Sequence, residues 1–235
     1  MIHFQNIRAV FKKQLLDTFK NKVILIQYFI FPIVSVVLTE LIAKGDATMS
    51  DNYFAVLFAA MFAGMIPTMN IVNIITEEKE NNTLRVLFMS NVRGPEYLIG
   101  ISALILILCE ICVAIIALVG GFSGTELLQF MGVITIGIVI SMTFGGAIGV
   151  LCENQMSGSS IVIPFSLIFS FLPMLSNFNA DMKEGAKYIY TQQINSLVQS
   201  IPKCEFSAET ILIILGNLGA FLTFFMIAYK KKGLS

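Results

Sequence analysis

The 235 residues are 56% hydrophobic and only 13% charged, with 15 basic and 15 acidic side chains in formal balance, and the mean hydropathy is +0.82. Soluble domains carry roughly 25% charged residues. An ordinary soluble fold is thereby excluded; the zero net charge is uninformative by itself, and no nucleic-acid partner is expected.

Residues 1–22 come first as a basic amphipathic arm. Phe4, Ile7, Phe11, Leu15 and Phe19 recur every three or four residues, while Gln5, Arg8, Lys12 and Lys13 take other faces. Such a helix lies in the membrane interface, attracted to anionic lipid, either as a plain anchor or as an elbow that also touches a partner. The first apolar run starts too late, is too long and lacks the small-residue site of a cleavable signal peptide, so none is expected.

Six apolar stretches follow, at Val23–Ile42, Tyr53–Ile75, Leu98–Val119, Leu127–Leu151, Ser159–Leu175 and Thr210–Tyr229, none containing Lys or Arg. Each is long enough to cross a hydrocarbon core of about 30 Å as a helix. A backbone in lipid must satisfy its own hydrogen bonds, which selects helices. The expectation is an all-α integral membrane protein of one transmembrane domain, residues 23–229, with a basic tail at 230–235. Basic residues divide eleven to four between alternate sides: Arg8, Lys12, Lys13, Lys20, Lys22, Lys79, Arg85, Arg93 and Lys230 to Lys232 against Lys44, Lys183, Lys187 and Lys203. The positive-inside rule places both termini in the cytoplasm of a cell membrane.

Between spans two and three, Glu77 to Glu80 continue the helix out of the bilayer, and Asn81-Asn82-Thr83 interrupt it with capping chemistry. Leu84 to Met89 then make a short helix presenting Leu84, Leu87 and Phe88 on one side. Ser90, Asn91 and Gly94 break it, and Pro95 with Glu96 suits the start of span three. A helix this short is unstable alone in water. It must lie on the membrane surface or dock on another protein, since nothing in the sequence is set aside to cover it.

Polar residues inside the spans come next. Glu110 lies near mid-bilayer, where a carboxylate costs roughly 3 kcal/mol or more, with no intramembrane cation to pair with. It must be protonated, bonded to neutral groups or facing water, and serves either packing or a translocation path. Asn70 and Asn73, with Glu77, share a face of span two; Ser166, Ser170 and Pro173 do likewise in span five beside Pro164. Bonds between helices or a polar path wall both account for them. Gly137, Ser141, Gly145 and Gly149 recur every fourth residue in span four, a stripe that lets helices pack closely.

Past span five, Met182, Ala186, Tyr190, Ile194, Leu197 and Ile201 predict one amphipathic helix ended by Pro202. It either dips into the outer leaflet or lies on the surface. Ser207 and Glu209 would cap the last span. Cys109 and Cys112 read as small buried hydrophobes, with Cys152 near the cytoplasmic face and Cys204 outside. With His3 as the one histidine, a Cys/His metal site is not expected.

The run Thr76-Glu77-Glu78-Lys79-Glu80-Asn81-Asn82-Thr83-Leu84-Arg85-Val86-Leu87, followed by Ser90, Asn91 and Val92, resembles the first cytoplasmic loop of ABC-2-type transporter permeases. The family pattern Glu, any, Glu, any, Gly, Thr, Leu falls on Glu78, Glu80, Thr83 and Leu84. Asn82 replaces the glycine, a tolerable departure because Asn visits left-handed backbone more easily than most residues. An elbow helix, six spans and a long connection before the last complete the likeness.

The resemblance implies a membrane subunit that pairs with a second copy or a similar permease and is driven by separate cytoplasmic ATPase chains. The chain contains no G-x-x-x-x-G-K-[ST] phosphate loop, so ATP and Mg would be bound by the partner and no cofactor is expected here. The resemblance makes the short helix a coupling helix: Leu87 and Phe88 would fill a pocket on the ATPase, and Arg85 would meet an acidic rim. An intramembrane protease is disfavoured, because Asn82 stands where that pattern wants Arg and intramembrane histidines are missing. A channel or secondary carrier is the alternative, although no inverted repeat is visible. An ATP-driven exporter of hydrophobic or amphipathic cargo (antimicrobial peptide, drug or lipid-like molecule) is the favoured reading.

Overall fold

A computed structural model describes residues 3–43, 50–178, 180–201 and 207–234. Lys44, Pro202, Lys203 and Cys204, on which parts of the sequence reading rest, lie outside the described residues. Ten helices are described: α1 Phe4–Lys20, α2 Lys22–Leu41, α3 Tyr53–Glu80, α4 Thr83–Met89, α5 Gly94–Val119, α6 Gly124–Leu151, α7 Gln155–Ser176, α8 Ala180–Ala186, α9 Tyr190–Ser200 and α10 Ala208–Lys232. Six of them, α2, α3, α5, α6, α7 and α10, are long and apolar enough to cross a bilayer. They correspond to the six expected spans; α2 is shifted by one residue and the other five run further at one or both ends.

The protein is an all-α, multi-pass membrane protein built around α3. Fully 83% of the apolar window of α3 is buried within the chain, against 11% for α10. Lipid tails are as apolar as leucine, so a hydrophobic difference does not drive helices together; close packing does. The α6 stripe supplies it. A Cβ on Gly145 would sit 2.6 Å from Ile71 Cγ2 and from the Thr68 carbonyl oxygen, and one on Gly149 would sit 3.1 Å from Ile75. Gly137 touches Ala63 and Ile194 at ordinary contact distance. On the other flank, a Cβ on Gly64 of α3 would meet the Phe169 backbone of α7 at 2.9 Å.

α1 lies across α5, with Val10, Gln14 and Thr18 buried and Val10 filling the space beside Gly100. Phe4, Leu16 and Phe19 point outward. Chain start and chain end share one end of the bundle: the His3 amide donates to Glu96 at the start of α5, and Tyr229 of α10 abuts Gly94. This is the terminal end, and α4 lies there too.

The segment after α7 differs from the single amphipathic helix expected of it. Residues 187–189 break it into α8 and α9. Tyr190, Ile194, Leu197 and Val198 are buried, but so are Thr191, Gln192, Gln193 and Asn195 on the other faces, so α9 is enclosed rather than amphipathic at a surface. Ile194 packs on Gly137. One turn earlier, Tyr190 meets Ser141, Phe169 and Phe221, all deep within their own helices. The segment therefore enters the bundle from the far end with its N-terminus innermost. Ser207 occupies the N-cap of α10 without a side-chain capping bond, while Glu209 pairs with Lys187. That bond and the Glu209 charge hold the exposed Lys187 ammonium above its usual pKa.

Candidate functional site

An open groove of about 590 Å³ runs between α2, α3 and α7. Its floor is the face of α3 that carries Phe58, Met65 and Met69, which are half-exposed, and Asn73 continues that face one turn beyond the groove. Ile30 and Phe31 form one wall and Phe171 and Met174 the other. Methionine is unbranched and polarizable, so a Met-lined surface adapts to apolar molecules of different shape. Among the described residues none lies across the groove. Met61, Met65 and Met69 recur every fourth residue, a signal the sequence carried and the polar-residue search passed over.

The expected polar path is not assembled on this groove. Asn70, Ser166 and Ser170 are buried. Asn70 Nδ2 donates to Ile66 O and Ser166 Oγ to Ile163 O, both within their own helices, and Ser170 Oγ makes no hydrogen bond. The interhelical bonds expected of them are therefore not made. Asn73 alone of the set reaches the open face. Glu110 is elsewhere, on the α5–α6 seam, where the Thr135 hydroxyl lies 2.6 Å from its Oε1. Glu110 is bonded to a neutral group, as expected, but it does not share a surface with Asn73.

At the terminal end the backbone turns sharply from α3 into α4. Asn82 adopts φ 57°, ψ 11° without a side-chain capping bond, the left-handed geometry expected where glycine would otherwise stand. Thr83 Oγ1 donates to Glu78 O at 3.2 Å. Glu80 Oε2 accepts from the Gln155 amide at 2.9 Å, fixing the turn to the start of α7. One expectation is corrected here: the apolar face of the short helix is covered by its own chain. Leu84 is 2% exposed, and Leu87 and Phe88 pack partly against the core. A two-residue turn, Asn81-Asn82, folds α4 back under α3, so Leu84 becomes an anchor. Facing away are Arg85, Val86 and Met89, the last two 61% and 80% exposed.

Charged contacts tie this end together. Lys13 of α1 bonds the Glu78 carboxylate. Burial opposes the Lys13 charge, but Glu78, with Asp17 beside it, holds the pKa above 10.5. Glu96 accepts from the His3 and Arg93 amides and from Asn6 Nδ2, joining α1 to α5. Lys79 Nζ donates to the carbonyls of Val150 and Cys152, satisfying the end of α6. Lys232 of α10 bonds Glu153 at 2.8 Å and holds that exposed carboxyl below its usual pKa. Between α4 and the end of α10 lies a cleft of about 620 Å³ bordered by Lys79, Arg85, Phe88 and Leu234. Sequence reasoning placed Glu96 at the start of span three and Lys13 on the polar face of the arm, but not their partners, which are distant in the chain.

Among the described residues no group of His, Cys, Asp and Glu is arranged to hold a metal ion. Cys109, Cys112 and Cys152 are buried free thiols.

Comparison with protein families finds one model, described as ABC-2 family transporter protein, matching residues 5–230. A search of curated proteins found no match.

Proposed function

The chain belongs to the ABC-2 family of transporter proteins, and from that premise we propose that it is the membrane-spanning permease of an ATP-driven exporter. Its cargo is hydrophobic or amphipathic, its energy comes from ATP and Mg bound by separate cytoplasmic ATPase subunits, and both its termini face the cytoplasm of a cell membrane. α1 is its elbow and α4 its coupling helix.

The observation that carries this reading is the position of α4. Leu84 anchors it under the end of α3, and α3 forms the floor of the Met-lined groove. A push on the outward face of α4 is thereby delivered to the helix that would touch cargo. Arg85, Val86 and Met89 offer that face to the ATPase. Leu87 and Phe88, half-covered at its edge, border the interface, and Glu78, Glu80 and Thr83 hold the turn in shape.

A groove open on one side does not enclose a cargo. A second copy, or a similar permease, set against α2 and α7 completes the enclosure, with lipid around the outer faces. Asn73, Met65 and Met69 then contact cargo, and Asn70, Ser166 and Ser170 support the wall from behind. α9, enclosed at the far end, closes the exit.

The test is to express the chain with its ATPase and substitute Val86→Asp together with Met89→Asp. The expected outcome is normal insertion and thermal stability with loss of the ATPase from the purified complex. An ATPase that still copurifies, with cargo-stimulated hydrolysis intact, overturns the reading.

A further inference from the structure

The Thr135 hydroxyl lies 2.6 Å from Glu110 Oε1 and 2.7 Å from the Met131 carbonyl oxygen. A hydroxyl carries one hydrogen and offers lone pairs for acceptance. Either Thr135 shares that hydrogen between the two acceptors, or Glu110 carries a proton on Oε1 and donates to Thr135 while Thr135 donates to Met131. The second arrangement gives each contact its own hydrogen, needs no cation beside the carboxyl, and leaves Oε2 as an acceptor.

The surroundings of that acceptor are apolar and open. Ile107 and Ile111, flanking Glu110 on the same helix face, are 49% and 50% exposed, and Ile136 beside Thr135 is 44% exposed. Gly132, one turn before Thr135, has nothing within 4 Å of where a Cβ would stand. Glu110 lies nine residues from the end of α5, roughly 13 Å along the helix axis, too deep for a lipid headgroup to reach. No Lys or Arg occurs in any of the six apolar stretches.

We propose that Glu110 and Thr135 form a binding site, open to the hydrocarbon of the bilayer, for a lipophilic amine. Such an amine dissolves in the bilayer uncharged. At the site its nitrogen lone pair takes the Glu110 proton: the O–H bond breaks, an N–H bond forms, and acid plus amine become an ammonium–carboxylate pair. No net charge enters the membrane and no other reactant is needed. Thr135 turns its hydroxyl from Met131 to the new carboxylate, and the isoleucines with the notch at Gly132 receive the alkyl chain. Oppositely charged groups attract far more strongly in a medium of low dielectric than in water, so a buried carboxyl retains what a surface one would release.

The site is separate from the groove, and its test needs no ATPase, so it stands or falls independently of the transport reading. The full-length chain in phosphatidylcholine nanodiscs is treated with dicyclohexylcarbodiimide, which dissolves in the bilayer and adds across the O–H of a protonated carboxyl to leave an acylurea. Mass spectrometry is expected to find the adduct on Glu110. N,N-dimethyldodecylamine should slow its formation at least about tenfold, close to 1.4 kcal/mol of site occupancy, while dodecanol should not. Equilibrium dialysis should show saturable amine binding, lost in a folded Glu110→Gln variant. An unlabelled Glu110 in the absence of amine overturns the proton assignment. Equal protection by amine and alcohol, or unchanged amine binding by Glu110→Gln, overturns the site.

Discussion

Lys13 of α1 bonds Glu78 in the last turn of α3, joining residues 65 positions apart in the chain. Lys13 is half-exposed, but the Glu78 side chain is only 6% exposed, and its Oε2 makes no further hydrogen bond. Removing a partner from a buried charge costs more than the pair contributes. The surface helix is thereby linked to the same helix that α4 is anchored to.

Lys13→Met is therefore expected to lower stability by about 1–3 kcal/mol, below the full buried-pair cost because Lys13 is partly solvated. Adding Glu78→Gln should restore much of the loss. The chain has no tryptophan, so melting is best followed by circular dichroism. A folded-state pKa raised above 10.5 means the contribution is present through neutral pH and fades as pH rises past that value. A wild-type advantage that instead disappears at neutral pH would contradict the ion pair.

Gly145→Ala should destabilise the bundle by about 1–3 kcal/mol, since its methyl would enter the Thr68 carbonyl and Ile71 at 2.6 Å and overpacked sites pay in displaced backbone. Gly132→Ala meets open space and is expected to be neutral or to stabilise by up to about 1 kcal/mol through helix propensity. Thermal melts of the two variants in one detergent compare them directly; equal midpoints would mean that the stripe does not set the α3–α6 distance.

Ser141 and Tyr190 are both fully buried, their hydroxyl oxygens 2.6 Å apart, and Ser141 also donates to the Ala63 carbonyl. Tyr190→Phe and Ser141→Ala should each cost about 1–3 kcal/mol by leaving a buried polar group unpaired. The double variant should cost less than the sum of the two. Strict additivity would show that no bond holds α9 to α6.

Met69→Trp fills the groove floor without touching the packed face of α3. Met69 is half-exposed and packs partly against the core, so the substitution is expected to cost about 0.5–1.5 kcal/mol of stability and to reduce cargo export severalfold in vesicles containing the ATPase. Undiminished export of every cargo tested would remove the groove from the path.

The sequence by itself determined that this chain spans a membrane and how many times, and it carried the small-residue stripe of α6. Those properties are local: an apolar run of about 20 residues has one solution in lipid, and a glycine every fourth position lies on one helix face whatever surrounds it. The left-handed turn at Asn82 was readable for the same reason. Tertiary structure alone decided which faces were covered. Leu84 was expected to seek another protein and is instead held under α3. The pattern of α9 read as an amphipathic helix either dipping into the outer leaflet or lying on the surface, yet most of it is buried among other helices, with Gln199 left exposed, and its polar residues meet Ser176 and the Lys187 carbonyl. In lipid, apolarity does not distinguish a buried face from an exposed one, and the Met65–Met69 floor became a groove only when α2 and α7 stood apart above it. Lys13 with Glu78, and Glu96 with His3, are pairs between remote segments, and nothing in the spacing of residues along the chain announces which distant charge will arrive.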